Sequence, residues 1–410
     1  MENNNYLRIG TTYYKIIQKP LSSGDTISSM VMWSIECIKQ DHGKDFLARI
    51  PRYDGFCLIP AHIGYERIVQ NFYNRYNPFN HQLQEGYPKN TLAFLSHIFG
   101  EQLDQGLDYL KILLLQPTQM LPILCLMSSE RSTGKTIFLN YLKSIFGNNM
   151  TINSNEDFRS NFNAEWAQKL IIGVDETFLD RKEDSERLKN LSTSKYYKVE
   201  AKGIDRQEIE FFGKFILCSN NEDNFIFIEK TEIRYWIRKI PPFDHDNTNL
   251  LAELNTEIPY FLNYLVERPY STSKQTRMWF TPEQIATSSL LRVKRFNRNK
   301  LESKIAHLLL LLIDSKENTD CICFCLSDIQ DWFLKRGIRG YDSEVIKKIL
   351  QDNWKLKPAP NSITYLQYRI GYDGTIYEFN QKGRFYQLTK SKVLNLNFFD
   401  EFDEKIINSS

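Results

Sequence analysis

The sequence predicts an α/β fold: a sheet layered with helices around a phosphate loop, a helical accessory region before it, and a winged-helix-like domain after it. Three observations carry this expectation. The segment Ser129-Glu130-Arg131-Ser132-Thr133-Gly134-Lys135-Thr136 stands between an apolar run, Leu121 to Met127, and a helical run, Thr136 to Phe146. From Leu121 to about Phe243, short apolar strands alternate with polar or helical stretches, the texture of an α/β layer. Beyond residue 300, three helical spacings precede three strand-like runs, the order of a winged helix.

Residues 1–90 read as an N-terminal accessory domain, with β-like runs at Tyr6 to Ile17 and Gly55 to Ile59 and an amphipathic helical pattern around Tyr65 to Tyr76. Two helical segments between Thr91 and Gln116 fill residues 91–120 and are closed by Pro117 and Pro122. The core spans 121–270 and ends in a helical stretch, Leu250 to Val266. A basic linker, 271–300, carries Arg292, Lys294, Arg295, Arg298 and Lys300. The C-terminal domain, 301–410, has helical spacing at Leu301 to Asp314, Leu326 to Arg336 and Ser343 to Trp354. Strands are expected at Tyr365 to Ile370, Thr375 to Phe379 and Gly383 to Leu388, with Asp373-Gly374 as a turn. A domain of this kind binds DNA or serves as a spacer.

Composition excludes several classes. At 410 residues the chain is too long for one ordinary domain. Its net charge of +2 rules out a polycation that coats nucleic acid, so any such contact must be local. The longest apolar stretch, Ile305 to Ile313, is far shorter than a membrane span and contains His307. Met1-Glu-Asn-Asn-Asn has neither a basic start nor an apolar core, so a cytoplasmic location is expected. Seven cysteines, an odd number, argue against a disulfide framework. Cys321, Cys323 and Cys325 alternate with apolar residues as in a half-buried strand and lack the spacing of a zinc site.

The segment Ser129 to Thr136 matches the P-loop pattern except that Ser129 stands where the first glycine is usual. Inward backbone N–H groups of Glu130, Arg131, Ser132 and Thr133, a flexible Gly134, the Lys135 ammonium and the Thr136 hydroxyl together suit the phosphates and the Mg2+ of ATP. A second strand, Leu170 to Val174, ends in Asp175 and Glu176. Asp175 suits Mg2+, shared with Thr136, and Glu176 suits the polarisation of water. A third, Lys214 to Ser219, delivers Asn220 and Asn221, of which one amide can sense a γ-phosphate or both can form a turn. Arg234 and Arg238 offer planar guanidiniums, suited to phosphate or to surface ion pairs.

Together these motifs resemble the superfamily 3 helicases of the AAA+ class, closest in look to the primase-helicase ATPases of phages, plasmids and conjugative elements, relatives of the poxvirus primase-helicase. The resemblance runs from about Thr91 to Pro242. It implies a ring, usually a hexamer, with ATP between subunits and single-stranded DNA passing 3′ to 5′ through the centre, in the cytoplasm of a bacterial host. It also implies Asn220 as sensor, Arg234 as the finger offered to a neighbouring site, and Arg238 as the alternative finger. The family's pore hairpin falls on Tyr196 to Glu200 and Gln207 to Phe211, with Lys202 at its tip and Lys198 nearby. Ser129, and the lack of a second Arg after Arg234, depart from the family pattern. The N-terminal portion shows no acidic pair or zinc set of a primase, so priming is expected from a separate protein. Two other classes use the same residues: an ATPase that remodels or loads protein partners, and an ATP-switched initiator that binds DNA without unwinding it. Glu176 speaks against the latter, and the pore lysine favours a helicase over the former.

Overall fold

A computed structural model of the chain describes residues 5–20, 26–160, 163–201, 204–222, 224–229, 231–315, 320–338, 340–371 and 375–394. Its contacts divide into two units. One comprises Met1–Thr177, Leu188–Glu222 and Ile233–Thr287, the other Phe178–Arg187, Asp223–Glu232 and Ser288–Ser410.

The first unit begins with β1 (Tyr6–Ile9), β2 (Thr12–Pro20), β3 (Thr26–Met32), helix α1 (Ile35–His42) and β4 (Arg52–Tyr53), the strands forming a sheet in the order β3-β2-β1-β4. A smaller sheet of β5 (Gly55–Cys57), β6 (Ile68–Val69) and β7 (Phe72–Asn74) follows. The helix expected around Tyr65 to Tyr76 is therefore a hairpin. Tyr65, Ile68, Phe72 and Tyr76 mimic helical spacing only because a two-residue turn shifts their phase. Gln70 and Asn71 form that turn with φ of 47° and 67°, both left-handed, as a twist-matched hairpin turn requires. Asn74 clamps it, accepting from the Ile59 N–H at 3.0 Å and donating to the Ile59 and Glu66 carbonyls at 2.9 and 3.1 Å.

Helices α2 (Lys89–Phe99) and α3 (Leu103–Leu115) then lead into the central layer. It contains β8 (Ile123–Met127), α4 (Lys135–Phe146), β9 (Met150–Asn153), α5 (Asn155–Arg159), β10 (Ile171–Val174), α6 (Lys182–Thr193), of which only the part from Leu188 belongs to this unit, the antiparallel pair β11 (Tyr196–Ala201) and β12 (Ile204–Glu210), β13 (Lys214–Ser219) and β14 (Tyr235–Lys239). Five of these strands form an all-parallel sheet in the order β14-β8-β13-β10-β9. The spacing found its three central strands and missed the outer two, Met150–Asn153 and Tyr235–Lys239. Strands β8, β10 and β13 are buried throughout, as continuous apolar runs covered on both faces must be.

Helices α7 (Leu250–Thr256) and α8 (Ile258–Glu267) divide the single stretch expected there. The break at Glu257 has a use. Its carboxylate accepts from the Asn90 and Thr91 N–H groups at 3.1 and 2.7 Å and so caps the start of α2. At the α2–α3 turn Gly100 has φ 51°, and a Cβ there would lie 2.6 Å from a nitrogen of Arg238. Trp236 sits at the centre of this packing. It is fully buried, stacks on Phe99 at 5.4 Å and donates from Nε1 to Gln102 at 2.8 Å.

The second unit contains α9 (Ser288–Asp314), which starts inside the stretch read as a linker, then β15 (Cys321–Phe324), α10 (Leu326–Lys335) and α11 (Ser343–Lys348), extended by a π turn at Ile349–Asn353. Strands β16 (Ile363–Ile370) and β17 (Ile376–Gly383) pair with each other, and β18 (Tyr386–Thr389) pairs with β15 before helix α12 (Lys390–Leu394). The expected Asp373-Gly374 turn lies outside the described residues. Buried Asp328 anchors this unit by accepting from the Tyr365 hydroxyl at 2.8 Å and the Cys325 N–H at 2.8 Å. All seven cysteines are free thiols, and no described helix is long and apolar enough to cross a membrane.

Truncating Trp236 removes a large ring and one of the two donors to the Gln102 oxygen, the other being Arg238. Trp236→Ala is expected to lower the unfolding free energy of the first unit by about 3–5 kcal/mol. Urea titration followed by circular dichroism measures it, and a loss below about 1 kcal/mol contradicts this packing role.

Candidate functional site

The site grows from one strand end. Strand β8 stops at Met127, and the loop after it turns back into α4, whose first residue is Lys135. Register brings the carboxyl ends of three strands to one edge: Met127 lies opposite Ser219 of β13, and Leu217 of β13 lies opposite Val174 of β10. Ligands of open α/β sheets gather outside such an edge.

Within the loop, left-handed backbone falls on Ser132 (φ 51°) and Gly134 (φ 86°) and not on Ser129. The serine at the usual glycine position therefore bears no backbone strain of this kind. Instead its N–H and its hydroxyl both donate to one oxygen of Glu222, each at 3.0 Å. The other Glu222 oxygen meets Lys239 at 3.0 Å. Burial of Glu222 acts to raise its pKa, but the hydrogen bonds from Ser129 and Lys239 prevail and hold it below the usual carboxylate range.

Lys135 is buried, and its Nζ donates to the Thr133 hydroxyl at 2.9 Å. Burial lowers its pKa, while Cys218, Asp175 and Glu222 pull the other way. The Thr136 hydroxyl donates to an oxygen of Asp175 at 3.1 Å, joining the loop to the end of β10. The second Asp175 oxygen accepts from the Glu176 N–H at 3.0 Å. Glu176 itself is exposed and has φ 51°, a conformation uncommon for a residue with a side chain and typical of strained functional positions. Asn155 holds it by donating to its carbonyl at 3.1 Å.

Other predicted residues are distributed as follows. Glu130, Arg131 and Ser132 are exposed on the loop, and Asn220 is exposed at the end of β13 beside it. Arg234 precedes β14, its carbonyl accepting from the Ile123 N–H at 2.9 Å, and so lies at the edge opposite the loop. Five residues of strand separate the two edges, about 16 Å. Arg238, which the resemblance offers as the alternative finger, lies within β14. It is buried and ion-paired to Glu101 at 2.5 Å, so its guanidinium is used inside its own unit. Lys198 is exposed on β11, whereas Lys202 lies outside the described residues.

Three contributors escaped the sequence reading. Glu222 carries a faint signal, an acid just past Asn220-Asn221, but nothing local pairs it with Ser129. His97 of α2 bonds the Thr133 carbonyl at 3.1 Å and stacks on Phe243 at 4.2 Å. Phe243 closes over the loop, its N–H donating to the Ser132 carbonyl at 3.1 Å. A Cβ at Gly134 would lie 2.8 Å from the Phe243 ring, so this glycine is required both by its φ and by that ring. The arrangement offers a helix N-terminus, an ammonium, a hydroxyl and two carboxylates on one edge, a seat for a phosphate chain and a divalent cation.

Residues 126–238 match the model of a family of unknown function (DUF5906). No curated protein matches the chain. Among solved structures, the fold is similar to the apo C-terminal region of NrS-1 (305–718), with a TM-score of 0.56 and 14% identity over 86% of this chain and 84% of that one. The A form of the same apo region gives 0.56 and 15% over the same shares. A looser similarity, TM-score 0.30 and 12% identity over 62% of this chain and 66% of the other, is to JCV helicase with an acetamide compound bound.

Removing the buried Glu222 carboxylate breaks its charge-assisted bonds with the Ser129 donors and Lys239. Glu222→Ala is expected to destabilise by about 1–3 kcal/mol at neutral pH. Because the folded pKa is depressed, this contribution exists above the ordinary carboxylate range and fades as pH falls through the depressed value. Urea unfolding of both proteins across that range measures it; a difference independent of pH contradicts the ionised pairing.

Proposed function

We propose that the chain is an AAA+-type P-loop ATPase of superfamily 3, acting as a helicase on single-stranded DNA during replication of a phage or other mobile element. The observation that carries this reading is the junction of loop and strand: Lys135 seated at the helix start, and Thr136 bonded to Asp175 at the shared edge. Further support comes from the sheet order, in which β8 lies between β14 and β13, and from the NrS-1-like fold.

Each residue then has a task. Backbone N–H groups from Glu130 to Gly134 and the Lys135 ammonium bind the β- and γ-phosphates. Thr136 and Asp175 would hold Mg2+, a role supported by the 3.1 Å contact between this hydroxyl and carboxylate. Mg2+, when bound, neutralises phosphate charge. Glu176 takes the proton of the attacking water, and Asn220 orients that water against the γ-phosphate. Arg234, at the far edge of its own sheet, serves the site of a neighbour in a ring, a hexamer by resemblance. Lys198 and Lys202 on the hairpin meet the strand's phosphates, with translocation 3′ to 5′. The second unit acts as a winged-helix-like module.

Lys135→Ala is expected to abolish ATP turnover, and Glu176→Gln to bind ATP while hydrolysing it at least about 100-fold more slowly. Phosphate release with and without single-stranded DNA measures both. Near wild-type turnover by Lys135→Ala would exclude the phosphate-loop reading.

Sharing of the site has its own test. Arg234→Ala alone is expected to lose about 1000-fold in turnover, yet to regain activity when mixed with Lys135→Ala under conditions of verified subunit exchange. In mixed rings some interfaces hold an intact loop and an intact finger together. Activity equal to the sum of the separate residual rates means that Arg234 is not offered to a neighbour.

A further inference from the structure

The first unit holds a cavity of about 950 Å3 between one face of the β2–β3 pair, the β5–β7 sheet and the turn that ends α4. Alternation along β2 and β3 places Tyr14, Ile16 and Gln18 opposite Met32, Met30 and Ser28 on the face that lines it, so the wall grades from aromatic to polar. Facing residues include two guanidiniums. Arg75 lies 5.1 Å over the Phe56 ring, and Arg67 lies 5.4 Å over the Tyr73 ring. Neither forms an ion pair with a carboxylate among the described residues.

The chemistry of this lining is one-sided. No described lining residue is acidic, although 50 of the chain's 410 residues are. Carbonyls of the α4 turn are also neutralised: Ser144 bonds His81 at 2.9 Å, Gly147 accepts from Lys143 at 2.9 Å and Asn148 accepts from Lys169 at 2.8 Å. Cations over aromatic rings, with negative groups kept out, suit a ligand that has a flat π face and a negative charge.

We propose that this cleft binds a single strand of nucleic acid, with bases stacked along Tyr14 and Phe56 and backbone phosphates met by Arg67 and Arg75. A strand carries one negative charge per base. That repeat matches one guanidinium per ring better than a triphosphate, whose charge is concentrated at one end and which finds no helix N-terminus in the described wall. The proposal stands apart from the ATP-site reading, since it requires neither nucleotide nor the phosphate loop.

The test uses the full chain without nucleotide or metal, so that failure of the ATPase reading leaves the measurement untouched. Binding of a fluorescent oligothymidine is followed by anisotropy across a salt series. Arg75→Glu is expected to weaken binding about tenfold and to lower the salt slope by about one or more. Ser28→Glu puts a carboxylate into the lining at an exposed position, and is expected to weaken binding about threefold to tenfold. If Arg75→Glu fails to fold, Ser28→Glu decides alone. A photoreactive thymidine in the same oligonucleotide is expected to crosslink to peptides containing Tyr14 or Phe56, and millimolar ATP is expected not to displace it. Unchanged affinity and slope in the folded variants, crosslinks found only outside the cleft, or displacement by ATP from these peptides each overturns the proposal.

Discussion

Parallel pairing of β8 with β13 is the constraint on which the remaining geometry rests. Because Met127 faces Ser219 and the Ser128 N–H donates to the Ser219 carbonyl at 3.1 Å, the loop leaves the sheet at the level where β13 and β10 end. Only then can the Thr136 hydroxyl reach Asp175. A slip of one residue in this ladder would turn every side chain of β13 to the other face and bring unlike residues into the buried layer. The fully buried Leu124, Leu126, Ile216 and Cys218 therefore fix the candidate site as firmly as the polar residues within it.

Around that edge, the buried carboxylate of Glu222 is matched and not merely tolerated. An unpaired carboxylate at Glu222 would be expensive in this setting, whereas two donors from Ser129 and the Lys239 ammonium make it an anchor. The loop is thus held from three directions: by Glu222 at its start, by His97 and Phe243 on its outer side, and by the Lys135–Thr133 contact within. Such bracing keeps Ser132 in a left-handed conformation that isolated peptides rarely adopt, as the Asn155 contact does for Glu176.

The two arginines of the 234–238 segment illustrate how position overrides residue type. Both have the same fork of donors, and both are four residues apart in one sequence motif. Arg238 lies within β14 and is drawn to Glu101 and Gln102, the pair on which the α2–α3 turn closes. Arg234 precedes the strand and stands at the opposite edge. Their separation along the strand is a matter of a few residues, yet it assigns one to internal packing and leaves the other at an end of the sheet remote from its own loop.

Much of the central layer was legible because its signals are local. A continuous apolar run, a glycine before a lysine and a hydroxyl, and carboxylates at the end of a second apolar run each state their own backbone requirement. Spacing misled at Tyr65 to Tyr76, where a turn at Gln70-Asn71 produced helix-like intervals, and it missed the outer strands, whose burial depends on neighbours far along the chain. The sequence by itself determined the loop, its lysine and threonine and the two acids. Tertiary structure alone decided that Ser129 answers to Glu222, that Phe243 covers Gly134 and that Arg238 belongs to Glu101, because these pairs join residues from 93 to 137 positions apart and only the packed sheet brings them into contact.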